Sequence, residues 1–182
     1  MRYAAQHAEG WAASMPKFIV SSFERAAHNA LFGFAGQPAD LVLSVLDPEA
    51  ALPTDFVKGA ALIGWNHLRH SRVDLYDTLD PVLDHGGVNE PLLAKLKDLA
   101  LSVGESERVL VHCRGGVSRS PAVVIALLAM RAGSDWPLAE AAVMKFLQDN
   151  AKVRPNALLV SAADRLLGYA GKLEQLVCKH RA

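Results

Sequence analysis

The chain has 182 residues, 51% of them hydrophobic, which is enough for one domain with a sizeable core. Its 19 basic residues balance its 19 acidic ones, a neutrality that points to neither a nucleic acid nor a membrane surface as partner. The two cysteines, Cys113 and Cys178, lie far apart and offer no disulfide framework.

Residues 1–14 carry Gln6, His7 and Glu9 where a secretory signal needs an apolar run, and they read as a frayed N-terminal extension or a misassigned start. A domain over residues 15–182 follows. Lys17 to Ser21 predicts a strand, Ser22 can cap a short helix to about Leu31, and Leu41 to Leu46 predicts a buried strand ended by Asp47-Pro48. Residues 60–63 suggest a further strand or turn. Arg72 to Tyr76 alternates with a period of two, so a strand is expected there, with Asp77-Thr78 at its carboxyl end. Asp84-His85-Gly86-Gly87 marks the middle of a loop that runs from Asp77 to Asn89.

Next come a helix over Asn89 to Ser102 with Pro91 in its first turn, and a strand over Arg108 to Val111. Helices are expected over Ser120–Arg131, Leu138–Asn150 and Asn156–Gly168, the last extending toward Cys178. Asp135-Trp136-Pro137 has the form of a cap with proline in the first turn, and Asn156 after Pro155 has that of another cap. The longest apolar run, Ala122 to Met130, is only about half of the ~20 residues that span a bilayer. Strands interleaved with helices predict a single α/β domain, a central, mostly parallel sheet flanked by helices. Ligands of such folds sit at the carboxyl ends of the strands.

The stretch His112-Cys113-Arg114-Gly115-Gly116-Val117-Ser118-Arg119-Ser120-Pro121 joins the Arg108–Val111 strand directly to a helix. A short glycine-bearing loop there can turn successive backbone N–H groups inward as an anion nest, backed by the helix N-terminus. Positive potential from the nest, the helix dipole and Arg119 stabilises a thiolate, which makes Cys113 a candidate nucleophile. The planar fork of Arg119 suits two equatorial phosphate oxygens, and Ser120 can hydrogen-bond the sulfur.

These residues resemble the signature loop of the protein tyrosine phosphatase superfamily, His-Cys, five residues, then Arg-Ser/Thr. The ending Gly116-Val117-Ser118-Arg119-Ser120 is most similar to the dual-specificity branch, and Tyr76-Asp77-Thr78 resembles a step seen there and in related bacterial phosphatases. Val153-Arg154-Pro155-Asn156 continues the resemblance downstream, so that it spans roughly residues 17–170 in element order. The resemblance implies a two-step hydrolysis of phosphotyrosine, extending to phosphoserine and phosphothreonine. Cys113 takes the phosphoryl group, Asp77 (with Asp80 as the alternative) protonates the leaving alcohol, and water then releases phosphate. Asp74 and Asp84 are weaker candidates for the acid. Arg114, Gly115, Gly116, Val117, Ser118 and Arg119 would hold the substrate, with His112 and Asn156 supporting the loop.

The chain also departs from the larger tyrosine-specific enzymes. Its only Trp-Pro pair, Trp136-Pro137, follows the signature instead of preceding it, and Gln148, in a helix, reads as a surface residue. Arg69, His70 and Arg72 read as solvated rim charges. His67 and His70 stand at one helical spacing, but no cluster has zinc-ligand spacing, so neither a metal nor an organic cofactor is expected. The implied partner is a phosphorylated protein or peptide. A thiolate nucleophile needs a reducing compartment, which makes the cytoplasm the default location. Two alternatives stand beside this reading: a phosphate-binding module without turnover, and a phosphatase for a non-protein substrate such as a phosphoinositide. The absence of lysine from the loop counts against the second.

Overall fold

Residues 15–51, 69–78 and 87–181 are described in a computed structural model of the chain. Among them four strands form one sheet: β1 (Lys17–Ser22), β2 (Leu41–Leu46), β3 (Arg69–Asp74) and β4 (Arg108–Cys113). Their order is β1-β4-β2-β3, and every pairing is parallel. Because parallel neighbours share one direction, the carboxyl ends of β4, β2 and β3 lie side by side at one edge.

The alternation of side chains sorts the strand residues into two layers. Val42 and Leu110 pack with Ala26 and Ala30 of helix α1 (Ala26–Phe32), while Leu41, Leu43, Val45, Val109 and Val111 join the larger core on the other face. At the centre of that core lies α3 (Arg119–Ala132), buried from Arg119 to Met130. A helix this apolar on all sides needs cover all round. It receives cover from the sheet and from α2 (Glu90–Ser102), α4 (Trp136–Asp149) and α5 (Ala157–Leu167), and α6 (Lys172–Arg181) packs on α4 and α5. None of the described helices is long and apolar enough to cross a membrane.

The two caps expected at Asp135 and Asn156 are present, and Asn89 forms a third. Asn89, Asp135 and Asn156 each accept a hydrogen bond from the backbone N–H three residues on, with Pro91 and Pro137 in the first turns of their helices. Other expectations are corrected. Ser22 makes no side-chain cap, and the chain passes through a 3-10 turn (Phe23–Arg25) before α1. β3 starts three residues earlier than expected and ends at Asp74, because it pairs in register with Leu41–Leu46 and leaves Tyr76 beyond the strand. The helix expected to run toward Cys178 is two helices. Gly168 takes a left-handed φ of 69° at the end of α5, and the buried carboxylate of Asp164 accepts N–H bonds from Gly171 and Leu173, both at 2.6 Å, to start α6. The expected extension over residues 1–14 and the element at residues 60–63 lie outside the described residues.

Because α3 carries Arg119 and touches every layer of the larger core, its packing sets the stability of the site. Leu127 is fully buried. Leu127→Ala is expected to lower the unfolding free energy by about 2–5 kcal/mol, seen as a lower urea midpoint at unchanged slope.

Candidate active site

Cys113 is the last residue of β4, and residues 114–118 turn the chain into α3. The turn is tight. Gly116 has φ +72°, and a Cβ there would lie 2.6 Å from the carbonyl carbon of Ser21, so this position requires glycine. Its N–H points back to the Cys113 sulfur at 3.3 Å, and Ser120 Oγ lies 3.3 Å from the same sulfur. Cys113 is thus buried between a backbone donor and a hydroxyl, the surroundings that suit a sulfur carrying negative charge. Behind the loop, the N–H of Arg154 donates to Val117 O at 2.7 Å, and that of Asn156 donates to Ser118 O at 3.1 Å.

Arg119 is only 3% exposed although it is charged. A buried guanidinium must be paired. Its NH1 group, which has two hydrogens, donates to Asp47 Oδ1 at 2.8 Å and to Leu75 O at 3.0 Å. Its Nε has no hydrogen-bond partner among the described residues, and Asp77 Oδ2 stands 3.9 Å away. With NH1 fully engaged, the edge carrying Nε is the one left for an anion. Asp77 is held at the same mouth, where its Oδ1 accepts from Ser118 Oγ at 2.6 Å. Asn156 Nδ2 donates to the carbonyl of the adjacent Thr78 at 2.9 Å.

The loop after β2 is fixed from below by Arg72. Its guanidinium donates to the carbonyls of Asp47, Pro48 and Ala50 at 2.7–2.8 Å, and to Asp74 Oδ1 at 2.6 Å. This clamp holds Asp47 against Arg119 and sets Glu49 to accept a hydrogen bond from the Tyr76 hydroxyl. A cavity of about 500 Å³ opens between these parts, lined by Asp47, Tyr76, Asp77, Thr78, Arg114, Gly115 and Arg119.

His112 lies fully buried under the loop. Its Nε2 is 2.6 Å from Ser44 Oγ, which is also 2.9 Å from His70 Nε2, so one hydroxyl bridges two imidazoles across β4, β2 and β3. Burial, reinforced by the nearby His70, pushes His112 down to about 4, against a weaker upward pull from a hydrogen bond to the Cys113 backbone. It is therefore neutral near pH 7 and suits support better than proton transfer.

The structure thus brings Cys113, Arg119, Ser120, Asp77 and the 114–118 loop into one place, with His112 and Asn156 packed behind. Asp80, Asp84 and His67 lie outside the described residues. Of the three residues read as solvated rim charges, Arg69 and His70 are exposed, the first pairing with Glu107 at the start of β3 and the second reaching Ser44, while the reading of Arg72 is corrected, because it clamps the loop after β2. His70 sits on β3. Gln148 is exposed on α4, far in sequence from the loop. Sequence reasoning missed Asp47, Ser44 and the Arg72 clamp. The available signal for Asp47 was its place at the carboxyl end of a buried strand. Among the described residues, no three or more His, Cys, Asp or Glu side chains group so as to hold a metal ion.

Known proteins with similar chains and folds fit this geometry. No protein-family model matches the chain. A segment of 59 residues is 49% identical to the protein-tyrosine-phosphatase IBR5 of Arabidopsis thaliana, covering 31% of this chain and 22% of that protein. The matched segment thus spans about a fifth of that relative's length. Among solved structures, the human tyrosine phosphatase-like serine/threonine/tyrosine-interacting protein aligns with a TM-score of 0.58 at 20% identity, over 86% of this chain and 94% of that one. DUSP15 aligns with a TM-score of 0.52 at 17% identity, over 92% of both chains. The resemblance to the dual-specificity branch of the protein tyrosine phosphatase superfamily therefore holds in the fold, and nothing in these matches supports a narrower bacterial affiliation.

Two outcomes follow from the loop and its support. Gly116→Ala is expected to destabilise the fold by about 1–2 kcal/mol from the left-handed backbone alone, with the clash at Ser21 adding to the loss in urea denaturation. His112 takes up a proton in the unfolded chain near pH 6.5 but in the folded one only near pH 4. Its contribution to stability is complete above pH 6.5 and is lost as the pH falls toward 4, by about 3 kcal/mol in all. Unfolding free energies across that window, with an NMR titration of the His112 ring, check both sign and midpoint.

Proposed function

Starting from a dual-specificity phosphatase fold, we propose that this chain is a cysteine-dependent phosphatase that hydrolyses phosphotyrosine in proteins or peptides, and phosphoserine or phosphothreonine more slowly. The observation that carries the reading is the setting of Cys113. Its sulfur meets the Gly116 N–H and the Ser120 hydroxyl at 3.3 Å each, at the mouth of a helix whose first residue is the buried Arg119.

In the proposed reaction the Cys113 sulfur attacks phosphorus as the bond to the leaving oxygen breaks, and the Asp77 carboxyl gives that oxygen its proton. Arg119 holds equatorial oxygens through its Nε edge, with the loop N–H groups completing the cradle. Water then attacks the phosphocysteine, passing a proton to the Asp77 carboxylate, and the sulfur leaves as a thiolate supported by Ser120. No metal or organic cofactor enters these steps. Both Cys113 and Cys178 are free thiols, and a free-thiol nucleophile fits a reducing compartment such as the cytoplasm.

The test is hydrolysis of an aryl phosphate under reducing conditions. Cys113→Ser is expected to abolish turnover. Asp77→Asn is expected to slow it by about 100- to 10,000-fold while phosphate or vanadate still binds, because Asp77 moves a proton and does not form the cradle. A wild type as inactive as Cys113→Ser that still binds vanadate would replace this reading with that of a phosphate-binding module.

A further inference from the structure

We propose that Tyr76 determines the specificity of this site. Its ring is a fixed wall of the cavity over Arg119 and selects aryl over alkyl phosphate monoesters, an inference that rests on the phosphatase reading. Tyr76 lies between Leu75, whose carbonyl accepts from Arg119, and Asp77, whose carboxylate accepts from Ser118 at the mouth, so the residues on both sides are tied to the site. Leu75 points into the core and is 1% exposed, whereas Tyr76 belongs to neither core cluster and lines the cavity together with Arg119 and Asp77.

The far end of the ring is tied as well. The Tyr76 hydroxyl donates to the Glu49 carboxylate, and Glu49 belongs to the loop that Arg72 clamps through three carbonyls. That hydrogen bond raises the phenol and lowers the carboxyl, which keeps both groups in the protonation states the bond requires. A ring held at both ends loses little conformational freedom when a second ring packs against it. An aryl phosphate seated on Arg119 presents such a ring, and an alkyl phosphate does not. An aromatic pair of ordinary geometry corresponds to about a three- to tenfold preference.

The experiment compares kcat/KM for one peptide carrying either phosphotyrosine or phosphoserine. It uses the full chain as wild type, Tyr76→Ala, Tyr76→Leu and Tyr76→Phe, with thermal melting to show that each is folded. Where phosphoserine turnover is too slow to follow, the inhibition constant of the phosphoserine peptide takes its place. Tyr76→Ala and Tyr76→Leu are expected to lower the aryl-to-alkyl ratio by about three- to tenfold. Tyr76→Phe, which keeps the ring and loses the tether to Glu49, is expected to fall between them and the wild type. A ratio unchanged in Tyr76→Ala and Tyr76→Leu overturns the inference even if both rates drop. If the wild type hydrolyses neither peptide, the phosphatase reading fails by itself. The ratio of the two peptides' dissociation constants, for wild type against Tyr76→Ala, then decides whether the wall selects rings.

Discussion

A charged side chain buried at the start of a helix constrains everything around it. Arg119 cannot lie at 3% exposure without partners, and the partners it uses come from chain segments that are far apart in sequence. Asp47 follows β2 and Leu75 follows β3, so satisfying one guanidinium joins two strand ends to the first turn of α3. Such a pairing is worth little as net stability, because desolvation offsets much of the attraction. Its value is geometric. With NH1 spent on two acceptors, the guanidinium can no longer rotate freely, and the edge bearing Nε has a fixed direction.

The same economy of acceptors explains the loop after β2. The carbonyls of Asp47, Pro48 and Ala50 converge on Arg72, which stops Asp47 from following solvent instead of Arg119. Arg72 is itself held in place by the Asp74 carboxylate at the end of its own strand. The cradle on the other side is held by neutral groups. His112 beneath it is uncharged near pH 7, and the Arg154 and Asn156 N–H groups behind it are backbone donors. Charge is thus gathered at the mouth, where Arg114, Arg119, Asp47 and Asp77 all line the cavity.

What could be read along the chain follows from how local each feature is. The apolar run of Leu41–Leu46, interrupted only by Ser44, marks that strand at its observed ends, and residues 112–120 of the site are legible because they are contiguous. β3 was misplaced because it is an edge strand. Arg69 and His70 are exposed and polar, so the alternation is visible only further along, near Arg72. Asp47 stands 72 residues from the arginine it pairs with, and no local pattern encodes a contact made only once β2 lies between β4 and β3. The break between α5 and α6 was hidden for the opposite reason. Both helices have good helical composition, and the capping carboxylate, Asp164, lies inside the first of them.

The position of Asp77 bears on how the proposed chemistry is ordered in time. Its Oδ1 is occupied by the Ser118 hydroxyl, and Ser118 belongs to the same loop that faces the sulfur. Asp77 and the 114–118 loop are therefore connected, which in the proposed reaction leaves less reorganisation for the chemical step. Because Oδ1 already accepts a hydrogen bond, Oδ2 is the oxygen available to carry a proton, and it is also the one that stands 3.9 Å from Arg119 Nε.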